Sequence, residues 1–420
     1  MEPERRSIPG TPLVGRNEDA TRRIHAALAR VPRIVCFAND WRGDPTSKHH
    51  IMRIFSQVRP VEWIEASGMR RPNLASRDDW GRIGRKVWGR FRRAPRPETP
   101  SGAVRVHTPL TIPVPGNALA NGFNRGVYRR LLGSFSENGA QPLHWVYTPT
   151  MASQLEVLGG GRLVYHCVDR WWEFSEYETT LMRRYHDDLC RSASVVFASA
   201  SELLADCLPL NPNSHLIRHG VDWSHFAGSV LSPAAEEARP PDLEGISGPV
   251  IGFWGLIHDW VDVEAIADLA RACPDATLVL IGSVRTDVSP LSDQPNVRML
   301  GQKPYAALPR YARFFDVALV PFRVNELTRA VNPIKLREYL SAGIPVVATR
   351  LPEVEAMGFE GLFAYEGSTE LVHQVRGILE AGRTPEGRTA LAYSMETESW
   401  AFKCAEMAEL AVGGTGRVET

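Results

Sequence analysis

Lys335 and Glu338 lie three residues apart just after a proline, in the stretch NPIKLREYLSAGIPVVAT that spans residues 332–349. On a helix, that spacing puts both side chains on one face of the first turn. Pro333 suits a helix start, because its missing N–H falls among the donors that a first turn leaves unpaired. Gly343 then stops the helix and Pro345 prevents its return. Val346, Val347 and Ala348 follow as an apolar run, as a parallel strand covered on both faces requires. A helix N-terminus with a lysine in its first turn attracts an anion, and a nearby carboxylate can accept hydrogen bonds from two adjacent hydroxyls. Phosphate plus ribose is the ligand this chemistry points to. A plain surface ion pair has the same spacing. Either way, Lys335 and Glu338 are expected on an exposed face.

The ungapped pattern PxKxxEYxxAGxPVVAT resembles the donor-binding segment of GT-B glycosyltransferases, especially the bacterial family 4 relatives that build surface polysaccharides, including the teichuronic acid type. The resemblance implies that Lys335, with Asn332, Pro333 and Ile334 around it, meets the diphosphate of a nucleoside-diphosphate-sugar, a UDP-sugar being expected. Glu338 would meet the ribose. It also implies that Gly252 and Gly255 bring backbone amides against the donor; by position, His258 on the loop that follows would border the donor, and Arg323 on the loop entering the motif would reach its sugar. On the residues alone, tight strand-to-loop packing explains the two glycines as well. Structural duty explains His258 equally. One position departs from the family: many members carry a second glutamate eight residues before the one matching Glu338, and here that position is Ala330. Glu326 is nearby, twelve residues before, so either stereochemical outcome is open.

Breaking the bond between a sugar and a diphosphate needs positive charge and oriented donors for the leaving group. Glycosyltransferases of other folds hold a metal with a DxD motif, and no DxD occurs in this sequence. Metal-independent catalysis without a cofactor is therefore expected. Asp169, at the end of the apolar run LVYHCV, is the candidate base for an acceptor hydroxyl. An aspartate capping the helix that follows fits VDRWWEF as well.

The chain has 420 residues, too many for one ordinary core, so two domains are expected. Its 44% hydrophobic and 23% charged residues match a globular chain and exclude a disordered one. No apolar run is long enough to span a bilayer, and the first ten residues lack a signal core. The expectation is a cytoplasmic protein. Six cysteines, Cys36, Cys167, Cys190, Cys207, Cys273 and Cys404, show neither CxxC nor zinc spacing and read as reduced buried thiols. Net charge is zero but uneven: residues 1–240 hold 32 Lys and Arg against 24 Asp and Glu, and the remainder holds 16 against 24. The first half should face something anionic.

Strand-like runs alternate with helical ones in both halves, as in doubly wound parallel sheets whose ligands bind beyond the strands' C-terminal ends. In the first half this brings Gly43, Lys48, His50 and Arg70 to the cleft. Helix capping and surface exposure explain the histidines equally. Residues 81–96 carry seven basic side chains and no acid, with Ile83, Val87, Trp88 and Phe91 interleaved. Arg85, Lys86, Trp88, Phe91 and Arg92 would dock on an anionic membrane surface. A solvated basic loop is the competing reading, and nucleic acid is not the expected partner.

The fold expected is α/β, GT-B type: two Rossmann-like domains facing across a cleft, with a C-terminal helix crossing back to the first domain. Residues 1–228 form the acceptor domain, 229–248 a linker, 249–390 the donor domain and 391–420 the returning segment. The function expected is transfer of a sugar from a nucleoside-diphosphate-sugar to a hydroxyl of a lipid-linked glycan in cell-surface polysaccharide assembly, on the inner face of the cytoplasmic membrane. A nucleotide-sugar epimerase on the same fold and a non-catalytic sugar-nucleotide or glycan binding protein are the alternatives.

Overall fold

Short apolar runs separated by helices pair as parallel strands, and thirteen of them form two sheets among the described residues. The computed structural model describes residues 13–66, 104–135, 141–231 and 239–413. The first sheet contains β1 (Ile34–Ala38), β2 (Val61–Glu65), β3 (Val104–His107), β4 (Leu143–Val146), β5 (Leu163–Cys167), β6 (Val195–Ala198) and β7 (Ser214–Leu216). Their order is β3-β2-β1-β4-β5-β6-β7, every pair parallel. β1, β4, β5 and β6 are buried along their whole lengths, whereas the edge strand β3 is half-exposed.

The second sheet contains β8 (Val250–Trp254), β9 (Thr277–Ile281), β10 (Val297–Gly301), β11 (Val317–Val320), β12 (Val346–Thr349) and β13 (Leu362–Tyr365). It is again all parallel, in the order β10-β9-β8-β11-β12-β13. The strands anticipated from sequence are present. β7 and β13 were not anticipated, because SHL is only three residues long and LFAY is largely half-exposed, so neither reads as a buried strand. The Trp223–Leu231 helix also runs into the segment read as linker.

The Trp400–Val412 helix leaves the second domain and packs on the first. Its Trp400, Cys404 and Met407 share a core with Ile34, Phe55, Trp63 and Trp145. Each large apolar side chain so buried contributes roughly 1.5–3 kcal/mol, enough in sum to hold the crossing. The sequence HGVD, residues 219–222, is shaped by it. A Cβ on Gly220 would come within 2.9 Å of Trp400, and Asp222 accepts from His225 N at 3.3 Å at the start of the next helix.

Beside this crossover, one buried carboxylate joins the domains. Glu353 accepts from Ser201 N at 2.7 Å and from Arg218 Nε at 2.7 Å on the first domain, and from Asn332 Nδ2 at 2.9 Å on the second. Arg337, fully buried, donates to Asn332 Oδ1 and, from Nε, to Glu398, each at 2.9 Å. Such a network is stable only because nearly every charge in it is paired and hydrogen-bonded.

Candidate functional site

The Ile334–Ser341 helix begins at Pro333 and ends before Gly343, whose φ of 67° is the left-handed turn that glycine permits. The expected exposed face is not found. Residues from Leu336 to Ser341 are all buried, because the Trp223–Leu231 and Pro385–Ser394 helices pack against this one. Glu338 is buried and Lys335 half-buried.

Burial changes what the pair can do. Glu338 Oε2 accepts from Trp254 Nε1 at 2.9 Å, and Tyr339 Oη accepts from Trp254 N at 2.7 Å, so the end of β8 fixes the carboxylate. Burial raises the Glu338 carboxyl above its ordinary range, against the opposing pull of Trp254 and Lys335. Burial likewise lowers the Lys335 ammonium, which Glu338 partly offsets. The lysine stem lies across Gly255, where a Cβ would come within 2.1 Å of Cε, and φ is 136°. Nζ lies 6.0 Å from the Phe322 ring centroid. It makes no hydrogen bond or ion pair among the described residues.

The other donor-side residues divide. Gly255 sits at the turn, but its amide is spent on Ile281 O at 2.8 Å, so the donors left for an anion are the first-turn amides at Ile334 and Lys335. Gly252 is inside β8, where a Cβ would come within 1.8 Å of the Phe315 ring, so the glycine also serves core packing. Asn332 is spent on Glu353 and Arg337 at both ends of its amide, so it too holds the protein together instead of facing the cleft. Pro333 is the helix N-cap residue. Arg323 is exposed and joins the site only through its backbone, donating to Trp260 O at 2.8 Å. His258 stacks on Trp260 at 4.1 Å and meets Asp259 at 2.6 Å.

Across the cleft, Asp169 follows β5 and Lys48 lies in the Ser47–Ser56 helix that follows β1. Burial pushes the Asp169 carboxyl up to about 7, with the Lys48 ammonium opposing. Burial lowers Lys48, with Cys36, Asp40 and Asp169 opposing. Lys48 Nζ donates to Asn39 Oδ1. The Asp169 carboxylate makes no hydrogen bond among the described residues and caps no helix; Arg170 precedes the next helical turn instead. Gly43 occupies a turn filled by the Asp40 carboxylate. His50 stacks on Trp400 at 5.7 Å and lies 5.8 Å from Tyr305, so it packs at the domain junction, and burial lowers it to about 4. Its neighbour His49 closes the capping box with Thr46. Arg70, Arg85, Lys86, Trp88, Phe91 and Arg92 lie outside the described residues.

A cavity of about 1020 Å³ opens between the domains. Glu173, Phe174 and Tyr177 line it on one side, and His258, Trp260 and Arg285 on the other. Lys335, Glu338 and Asp169 do not line it. Arg170 marks the boundary of this space, pairing with Asp206 at 2.8 Å, Glu202 at 3.0 Å and, across the cleft, Glu326 at 3.2 Å. Ala330, at the position where a glutamate is common in the family, is fully buried in the core of the first domain. Trp254 and Arg170 went unread in the sequence, since neither belongs to a short motif. Gly282 was also missed: its backbone packs on Gly255, a Cβ lying 1.8 Å from Gly255 O. Two glycines ending adjacent apolar strands were the available signal.

Residues 248–381 match the family model described as Glycosyl transferases group 1. A curated relative, the putative teichuronic acid biosynthesis glycosyltransferase TuaH of Bacillus subtilis (strain 168), is 26% identical over 246 residues, which cover 55% of this chain. The chain matches 61% of that relative's length. Among solved structures, Anabaena Alr3699/HepE in complex with UDP and glucose superposes with a TM-score of 0.59 at 15% identity, over 89% of this chain and 97% of that one. Sucrose-phosphate synthase from Thermosynechococcus elongatus gives 0.65 at 13% identity, over 90% and 98%. The fold is therefore the two-domain GT-B arrangement expected from sequence.

Proposed function

We propose that this chain, whose second domain is a group 1 glycosyl transferase domain, transfers a sugar from a nucleoside-diphosphate-sugar to a glycan hydroxyl in cell-surface polysaccharide assembly. One observation carries the reading. Lys335 holds an ammonium with no hydrogen bond or ion pair among the described residues over the Gly255 turn, one helical turn from a carboxylate pinned by Trp254. That arrangement suits a diphosphate and a ribose in one ligand. A UDP-sugar is the donor proposed, in line with the UDP and glucose named for the Anabaena protein.

In the transfer, the acceptor oxygen forms a bond to the anomeric carbon while the bond from that carbon to the diphosphate oxygen breaks. The electron pair goes to the diphosphate, where Lys335 and the first-turn amides of the Ile334–Ser341 helix meet the growing charge. Asp169 receives the acceptor's proton. Its carboxylate has no competing hydrogen bond among the described residues, and its raised proton affinity suits a base. A lipid-linked acceptor, presented at an anionic membrane surface, would agree with the basic excess of the first half.

Thermal unfolding with UDP-, GDP- and dTDP-sugars tests donor choice, because a ligand of the folded state raises the midpoint. A shift with a UDP-sugar is expected, lost in Lys335→Ala. No shift with any of the three, or an equal shift in the variant, overturns the donor site. Turnover that needs an added lipid-linked acceptor separates transfer from epimerisation.

A further inference from the structure

Three of the six cysteines, carried on three separate elements, converge on one histidine. Cys167 ends β5, His186 and Cys190 stand one turn apart on the Thr179–Ser192 helix, and Cys207 ends the Ser201–Cys207 helix. All four side chains are fully buried. Ligand atoms of Cys167, His186 and Cys207 all lie within 4.8 Å of one another. Cys190 Sγ is 3.6 Å from His186 Nε2 and 4.0 Å from Nδ1, and Cys167 Sγ is 3.9 Å from Nδ1.

Packing alone accounts poorly for this group. A thiol behaves as a small hydrophobe and can be replaced in a core by alanine or valine. An imidazole sealed in that core is costly without hydrogen-bond partners. The partners His186 finds here are the Tyr165 hydroxyl, 3.1 Å from Nδ1, and sulfur. A tetrahedral zinc ion, with Zn–S of about 2.3 Å and Zn–N of about 2.0 Å, sets its ligand atoms roughly 3.5–3.8 Å apart. The 3.6 Å from Cys190 Sγ to Nε2 falls in that range, the 3.9 and 4.0 Å to Nδ1 lie just above it, and the Cys167, His186 and Cys207 ligand atoms are gathered within 4.8 Å. Tyr165 occupies Nδ1 at 3.1 Å, which leaves Nε2, the nitrogen 3.6 Å from Cys190 Sγ, as the one open to an ion.

We propose that Cys167, His186, Cys190 and Cys207 bind one soft divalent cation of the zinc class. Three thiolates and one imidazole are a closed ligand set, so the ion is structural and lies apart from the sugar-transfer chemistry. It ties β5 to the two helices behind it, and Cys167 stands two residues before Asp169.

Metal content tests this without reference to donor or acceptor. The full chain, produced with zinc in the medium and freed of loose metal by gel filtration, should carry about one zinc per chain. Cobalt in its place should give a thiolate charge-transfer band and the visible bands of a tetrahedral ion. A strong chelator should lower the thermal midpoint of the unaltered chain, a readout that survives if Cys167→Ser with Cys207→Ser fails to fold. Where that double variant folds, its metal should be lost, while Cys273→Ser keeps it. A metal-free chain with an unchanged midpoint in chelator overturns the proposal, as does a Cys167–Cys207 disulfide found by mass spectrometry.

Discussion

Two lysine–carboxylate pairs, one carried by each domain, are built in opposite ways. Lys335 and Glu338 lie on one helix, and the Glu338 carboxylate is fixed by the Trp254 indole at 2.9 Å. Lys48 and Asp169 come from two separate elements, and the Asp169 carboxylate has no hydrogen bond among the described residues. The first pair is preorganised by its own helix and by β8. The second is held by burial and charge and stays free to accept a proton. Under the proposed function, the difference amounts to a division of labour: rigid groups would grip the donor, and a less constrained carboxylate would meet the acceptor.

The hardest test of that division is Asp169→Asn. The amide keeps the shape and removes the base, so transfer should fall by about 10²–10⁴-fold while donor affinity stays unchanged. Steady-state rates beside calorimetric donor titration read both quantities. Transfer that survives removes Asp169 from the chemistry, and donor affinity that falls with it would mean the two pairs act as one site.

A smaller effect is expected on the donor side. Glu338→Ala removes a carboxylate that accepts charge-assisted hydrogen bonds, each contributing about 1.5–3 kcal/mol, so donor affinity should drop by roughly 10- to 100-fold. Trp254→Phe keeps the carboxylate and removes its tether at Nε1, so its loss should be smaller than that of Glu338→Ala. If Trp254→Phe matches or exceeds Glu338→Ala, the indole touches the donor directly and the rigid-pair reading needs revision.

The same contrast explains what could be read in the sequence. Lys335, Glu338 and the strand after them are contiguous, so local spacing revealed the pair and the alternation of strands and helices revealed the two sheets. The burial of that helix was not legible, because the elements covering it, at Trp223–Leu231 and Pro385–Ser394, lie some distance away in the chain on either side. Asn332 reads like part of the motif, yet it is held by Glu353 and Arg337, partners that only the folded chain supplies. Gly252 and Gly255 look alike in the string GFWG, but one is pressed against Phe315 and the other carries the Lys335 stem. The group around His186 shows the limit most clearly: four side chains on three elements meet without any motif spacing.

The mildest expected effect is on pH dependence, and it separates the two members of the donor pair by sign. Burial raises the Glu338 carboxyl, and donor binding uses its charged form, so affinity should fall on the acid side sooner than for an ordinary carboxylate. Burial also lowers the Lys335 ammonium, whose charged form is the one that meets the diphosphate, so affinity should fall on the alkaline side sooner than for an ordinary lysine. The donor-binding window is thus narrowed from both ends. Glu338→Gln should flatten only the acid limb, and Lys335→Met only the alkaline one, in calorimetric titrations across acid to alkaline pH. Lys48→Met, on the acceptor side, should leave both limbs in place. A limb that moves with Lys48 would show that charge on one side of the cleft is felt at the other, and the separation of donor grip from acceptor chemistry would then be electrostatic only in part.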